Sequence, residues 1–281
     1  MIPALVKDEA LLQDIQSFEN DDAPPRLWWL GQSGFLIAFA NHRILLDPYL
    51  SDSLTAKYAA TDKPHIRLSE RVINPALLTK IDAVTSTHNH SDHLDPDTLR
   101  PLREANPRMR MIIPEANRKF VASKLGTPEQ WPDGLNAGEQ VRLGPFTVHA
   151  IPAAHEELST DVVGRHHFLG YVVECGPWVI YHSGDTIRYH GMEQWLAPWR
   201  IDVALLPING RLPERRVSGN LWGREAAQLA WDIGARLTIP CHFDMFSFNT
   251  ASPGDFTREC RALGCPHRVL QLGERLSLRD H

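Results

Sequence analysis

The chain has 281 residues, 43% of them hydrophobic and 22% charged, with a formal net charge of −5. That balance gives ample material for a buried core and excludes a disordered chain. The acidic surplus argues against a general nucleic-acid binder, and no apolar run approaches the ~18–20 residues that a bilayer span needs.

In chain order, Met1–Asn20 carries Asp8, Glu9 and Asp14 through its apolar pattern, unlike a signal peptide. It predicts an amphipathic helix with Leu5, Leu12, Ile15 and Phe18 near one face. Asn20–Pro25 reads as a linker. Leu27–Leu30 and Phe35–Phe39 predict a strand pair turned at Gly31 and Gly34, followed by His42–Leu46 and Asp47-Pro48. Tyr49–Asn74 is polar and irregular, the pattern of a long functional loop at a site mouth. Ile81–Thr87 and Met109–Ile113 read as strands, and Glu115–Leu125 as a helix ended by Gly126. Val141–Leu143 with Phe146–Ile151, then Leu169–Cys175 with Trp178–His182, predict two strand pairs. Ile201–Pro207 and Leu237–Pro240 read as buried strands around a helix, Gly223–Ile233. Ser252-Pro253-Gly254-Asp255 starts another helix with proline at its first position, and Val269–Leu272 and Leu276–Leu278 close the sheet. The alternation predicts one α/β domain over residues 1–281, with residues 1–20 packed on it as a helix.

The chemistry concentrates in Ile81–Asp95, I-D-A-V-T-S-T-H-N-H-S-D-H-L-D. A β-branched strand runs into His88, His90, Asp92 and His93. Side chains leave an extended backbone with period two, so His88 and His90 point to one side. Asp92 and His93 fall where the chain must turn. Four such groups are costly to bury unpaired, and divalent cations relieve both that cost and their mutual repulsion. His155, Asp185 and His242 also stand just past strands, and strand ends at one edge of a sandwich are neighbours in space.

T-H-N-H-S-D-H resembles the H-x-H-x-D-H motif of the metallo-β-lactamase superfamily, an α/β (α+β) four-layer αβ/βα sandwich with its metal site at one edge. That resemblance implies one divalent metal ion on His88, His90 and His155 and a second on Asp92, His93 and His242, with Asp185 bridging. Zinc or manganese is the expected metal. Two cations sharing a water would supply hydroxide near neutral pH, with Asp92 or Asp185 holding the proton.

Five segments in order resemble the L-ascorbate-6-phosphate lactonase branch: L-W-W-L-G, the Ile81–Asp95 stretch, Y-H-S-G-D-T, R-I-D-V-A-L-L-P and A-R-L-T-I-P-C-H-F-D. The implied activity is opening of a phosphorylated or acidic sugar lactone. Two alternatives stay open. H-N-H-x-D-H-L-D also resembles phosphodiesterases of the phospholipase-D type, and a hydrolase fold can serve as a non-enzymatic metal-dependent sensor.

Arg211, Arg215 and Arg216 sit in a loop suited to holding an anion, with Arg188, His190, His167 and Asn249 as further candidates for the pocket wall. Asp95, Glu156 and Asp244 are candidate carboxylates for orienting the imidazoles. Cys241 is either a packing residue or a thiolate ligand. The four cysteines are too scattered for a disulfide framework, which points to a cytoplasmic protein. The expected partner is a small anionic or sugar-derived molecule, with no nucleic acid and no membrane. Trp195, Trp199 and Trp222 suit packing or a homo-oligomer interface.

Overall fold

The computed structural model describes residues 1–17 and 23–278. Helix α1 (Asp8–Gln16) leads to β1 (Arg26–Gly31), β2 (Gly34–Phe39), β3 (His42–Leu46) and the short helix α2 (Ser53–Tyr58). Next come β4 (Ala83–Thr85), α3 (Pro96–Ala105), β5 (Arg110–Pro114), α4 (Arg118–Leu125), β6 (Pro132–Leu135), β7 (Gln140–Leu143) and β8 (Phe146–Pro152). The rest is β9 (Leu169–Cys175), β10 (Trp178–His182), α5 (Met192–Leu196), β11 (Val203–Pro207), α6 (Gly223–Asp232), β12 (Leu237–Cys241), α7 (Gly254–Leu263) and β13 (Arg275–Ser277).

The strands form two sheets, ordered β13-β1-β2-β3-β4-β5-β6 and β12-β11-β10-β9-β8-β7. Each is part antiparallel and part parallel: β3 to β6 run parallel in one, β10 to β12 in the other. Parallel strands covered on both faces need continuous apolar sequence. β4, β11 and β12 have it and are buried throughout. The α6–α7 pair covers the β11–β12 side, while α4 packs on β6 and α3 packs beside α4. Two mixed sheets face to face with helices outside are the αβ/βα sandwich expected from the sequence.

Backbone bonds cross the seam between the sheets. Leu169 N donates to Thr87 O at 3.0 Å and His242 N to Gln32 O at 3.0 Å. The His182 ring donates to Ser33 O at 2.9 Å, and His182 lies edge-on to Phe35.

Several element expectations change. In α1 it is Leu11 and Ile15 that are buried, while Leu5 precedes the helix and is exposed; Phe18 and the start of the linker lie outside the described residues. The Tyr49–Asn74 segment contains α2. Val269–Leu272 is not a strand, so β13 alone closes that edge. Pro253 precedes α7 as its cap rather than occupying its first turn. β6, α3 and α5 lacked a clear sequence signal; β6 is short and reads P-D-G-L, a turn-like composition. Among the described residues, no helix is long and apolar enough to cross a membrane.

Candidate metal centre

Strand ends from both sheets converge at one edge of the seam. β3 leads into Asp47, β4 into His88, His90, Asp92 and His93, β8 into His155, β10 into Asp185 and β12 into His242. Ligands in open α/β sheets gather at such carboxyl ends. Sharp turns aim the groups: the amides of His93 and Leu94 both bond to His90 O. Gly184 (φ +60°) turns β10 so that Asp185 points back to the seam. A Cβ there would come within 2.8 Å of Thr87 Cβ, so only glycine fits. Gln32, Asp47 and His242 also have positive φ (50°, 41° and 59°), conformations that non-glycine residues hold only when the surroundings impose them.

Among the described residues, three groups offer ligand atoms within 4.8 Å of one another: His88–His90–His155, Asp92–His93–His242 and Asp47–His88–His93. Asp185 lies between the first two. Its Oδ1 is 3.2 Å from His93 Nε2, and its Oδ2 is 3.2 Å from His242 Nε2 and 3.6 Å from His155 Nε2.

Hydrogen bonds on the far side of the rings set which nitrogen faces the centre. His93 Nδ1 donates to Asp47 Oδ2 at 2.6 Å, and His155 Nδ1 to Gly219 O at 2.9 Å. His88 Nδ1 donates to Thr87 Oγ1 at 3.1 Å; that hydroxyl donates in turn to Asp47. Asp47 also accepts from Thr85 Oγ1 at 2.6 Å and from Thr87 N. In each of these rings Nε2 is left facing inward. His88 Nε2, His93 Nε2 and Asp185 Oδ1 are buried and make no hydrogen bond. His93 and Asp185 are at ion-pair distance without hydrogen-bond geometry. Buried polar atoms without partners are rare in folded proteins, and here they converge on one spot rimmed by nitrogen and carboxylate donors. Such a donor set fits divalent cations.

The charges agree. Burial holds His88 and His90 below the ordinary imidazole value and brings His155 down to about 4, so these three are neutral at pH 7. Burial opposes the charged forms of His93 and His242, yet the carboxylates around them together outweigh it: Asp185 and Asp92 for both rings, with Asp47 added at His93. His93 is held well above its usual range and His242 is pushed up to about 9. Asp92 and Asp185 are held far below the carboxylate range, against burial, by His93 and His242.

Gln32 Nε2 lies 2.8 Å from Asp92 Oδ2 and 3.1 Å from His242 Nε2. Phe168 lies against the rings of His88, His90 and His155 with centroids 5.3, 6.2 and 5.6 Å away, an apolar backing for that trio. The groups open onto a cavity of about 480 Å³ lined by His90, Asp92, His155, Asp185 and His242 together with residues of α2, α4 and the loops after β11 and β12. A larger recess of about 740 Å³ beside Asp52, Arg67 and Arg71 contains none of these groups.

The family model described as a beta-lactamase superfamily domain matches residues 42–243. The chain belongs to the metallo-β-lactamase superfamily. A metal-dependent hydrolase of Caldivirga maquilingensis is 30% identical over 256 residues, covering 90% of this chain and 97% of that protein. Among solved structures, the metallo hydrolase Igni18 of Ignicoccus hospitalis aligns with a TM-score of 0.64 at 21% identity, over 90% of this chain and 97% of its own. An isothiocyanate hydrolase from Delia radicum gut bacteria aligns with a TM-score of 0.70 at 16% identity, over 90% and 98%. At those identities the two structures speak for the metallo-β-lactamase fold alone.

On this superfamily scaffold, the residues expected to bind substrate fare unequally. Arg216 and Asn249 line the cavity. Arg211 forks onto Glu225 at 2.7 Å, stapling its loop to α6. Arg215 is used up on the carbonyls of Asn209 and Thr250. Arg188 bridges Glu193 and Asp232, and His167 pairs with Asn117; neither lines the cavity.

The orienting carboxylates also differ from expectation. Asp95 caps α3, accepting from Asp97 N and Thr98 Oγ1. Glu156 accepts from Gly219 N and so holds the carbonyl that His155 uses. Asp244 bonds through its backbone amide to Thr250. Asp47 is the carboxylate that orients a ring. The sequence signal for it was an aspartate directly after a strand, in D-P. Cys241 is buried and burial keeps its thiol protonated, as a packing residue would be.

Proposed function

We propose that the chain is a metal-dependent hydrolase that opens a small acidic lactone or a related ester. In this reading His88, His90 and His155 would hold one divalent cation and Asp92, His93 and His242 another, with Asp185 within reach of both sets. The observation that carries it is the convergence of unpartnered His88 Nε2, His93 Nε2 and Asp185 Oδ1, with Asp185 itself lining an open cavity. Divalent cations, zinc or manganese, supply Lewis-acid polarisation and a nucleophile at neutral pH.

The chain's own groups do the rest. Asp47, Thr87 and Gly219 fix the ring tautomers, so that Nε2 stays available. Asp92 Oδ2, held by Gln32 Nε2 and partly open to the cavity, accepts the proton of the attacking water. Water oxygen bonds to the acyl carbon, the ring C–O bond breaks, and the leaving oxygen takes up a proton to give the hydroxy acid. Support for the lactone comes from the five ordered segments that resemble L-ascorbate-6-phosphate lactonases; support for hydrolysis comes from the Caldivirga relative's name.

The test is metal content of the purified protein together with turnover of a lactone panel and a bis-phosphodiester on the same sample. Two equivalents of metal with metal-dependent lactone opening is the expected result. Phosphodiester turnover alone would replace the lactone reading. Biological activity that survives Asp185→Ala would point to a sensor instead of an enzyme.

A further inference from the structure

Two ammonium groups from separate elements, Lys57 on α2 and Lys124 on α4, line the cavity beside the candidate metal centre. Among the described residues neither has a carboxylate at ion-pair distance, whereas Arg216, which also lines the cavity, is paired with Asp62. Lys124 Nζ donates to Ser91 Oγ at 3.4 Å, within the histidine-rich loop itself, and stands 5.5 Å from the Phe120 ring centroid. Burial first and the neighbouring Lys57 charge second hold Lys124 below its usual value. Asp92 and Asp95 act on Lys124 only from beyond ion-pair distance, so two like charges on one cavity wall, one of them half-buried, form a site that a directly bound anion would relieve. The chain carries a net −5, so this is a local positive focus on an acidic protein.

The adjoining wall is aromatic. Tyr58 stacks on His65 with centroids 4.1 Å apart, His65 meets Phe248 at 4.4 Å and Phe246 at 5.4 Å, and all four rings line the cavity. The ring faces of that wall would bury a flat or acyl body well.

We infer that the cavity binds an amphipathic organic anion: one carboxylate or phosphate on the Lys57–Lys124 pair and an aromatic or acyl body against Tyr58, His65, Phe246 and Phe248. The bond presented to the metal-ligand residues is the hydrolysable one, and that clause alone rests on the hydrolase reading. The anion subsite stands on the lysine geometry.

Calorimetric titration of the metal-loaded protein with phenyl phosphate tests the subsite, in the wild type, Lys57→Gln, Lys124→Gln, the double variant and Lys124→Arg. Metal content is measured on each. The expected result is a Kd raised about ten- to a hundredfold in the double variant, with Lys124→Arg close to the wild type. Inorganic phosphate should bind more weakly than phenyl phosphate, because it cannot use the aromatic wall. An unchanged Kd in a metal-replete double variant overturns the subsite, and equal affinity for the two phosphates overturns the apolar half of the proposal. In parallel, turnover of 4-nitrophenyl acetate is compared with that of the 4-nitrophenyl monoester of succinic acid. The anionic-to-neutral ratio of kcat/KM should fall in both glutamine variants. No metal-dependent turnover of either ester would count against the hydrolase reading, while the phenyl phosphate titration would still decide the subsite.

Discussion

Asp47 Oδ2 accepts a hydrogen bond from His93 Nδ1 at 2.6 Å, and neither side chain reaches solvent. The same carboxylate collects Thr85, the Thr87 amide and the Thr87 hydroxyl, and through that hydroxyl it also steadies His88. One residue thus orients a ring in each of the two proposed ligand sets. Partners of this kind are typically worth ten- to a hundredfold in metal affinity. Asp47→Asn is expected to weaken metal binding by about that factor, measured by competition with a chromophoric chelator. Wild-type affinity in the variant would show that the rings hold their orientation without it.

Protonation gives the metal-free protein a distinctive pH profile. Folded His155 sits at about 4 against an ordinary 6.5, so the unfolded chain binds a proton in that window and the folded chain does not. Stability is therefore lost as pH falls from 6.5 towards 4. His242 behaves oppositely: raised to about 9, its contribution is fully present below 6.5 and is lost as pH rises through 9. Asp92 and Asp185, held low, add to the loss in acid. The Tm of chelator-treated protein should peak near pH 6.5 and decline on both sides. Metal binding requires His93 and His242 to shed protons, so loading should flatten the alkaline decline and release protons detectable in buffers of different ionisation enthalpy. A metal-free Tm that keeps rising through pH 9 would contradict this assignment.

Gly184→Ala should be severe for a backbone reason. The new methyl meets Thr87 Cβ and Leu169 O at 2.8 and 2.9 Å, at a φ of +60°. Overpacking of this kind costs about 1–3 kcal/mol, and the displaced turn carries Asp185. Lower thermal stability and lower metal content should therefore appear together; a loss of stability with full metal content would mean that Asp185 keeps its place.

Arg188→Ala separates surface pairing from substrate binding. Its guanidinium joins Glu193 and Asp232 at the start of α5 and the end of α6, away from the cavity, with about a third of the side chain exposed. The expected outcome is an unchanged KM with Tm lowered by at most a few degrees, since such pairs contribute about 0–1 kcal/mol. A large rise in KM would place Arg188 at the substrate after all.

The ligand-type residues stood out in the sequence because metal binding admits few side chains, and those side chains cluster after strands. His88, His90, Asp92 and His93 lie within six positions, and His155, Asp185 and His242 each follow an apolar run. The sheet strands were legible for a related reason: burial on both faces leaves sequences such as V-A-L-L-P little freedom. The cavity wall was not legible. Lys57, His65, Lys124 and Phe246 share no motif, and only the packing of α2, α4 and the loop after β12 brings them together. Arg211, Arg215 and Arg188 could not be told from Arg216 in the sequence, because a guanidinium reads the same whether its partner is a ligand or, as for Arg211, Glu225 on the next helix.

The proposed ligands divide between the sheets. His88, His90, Asp92 and His93 follow a strand of one, and His155, Asp185 and His242 follow strands of the other. Cations held there would rivet two otherwise separate slabs at a single edge. Their binding free energy would then add to the cohesion of the whole sandwich, beyond any part in turnover. Chelation should accordingly open the molecule as a book opens, from the edge that bears the histidines, with amide exchange quickening first at Thr87, Leu169 and His242, whose backbone bonds stitch or flank that seam.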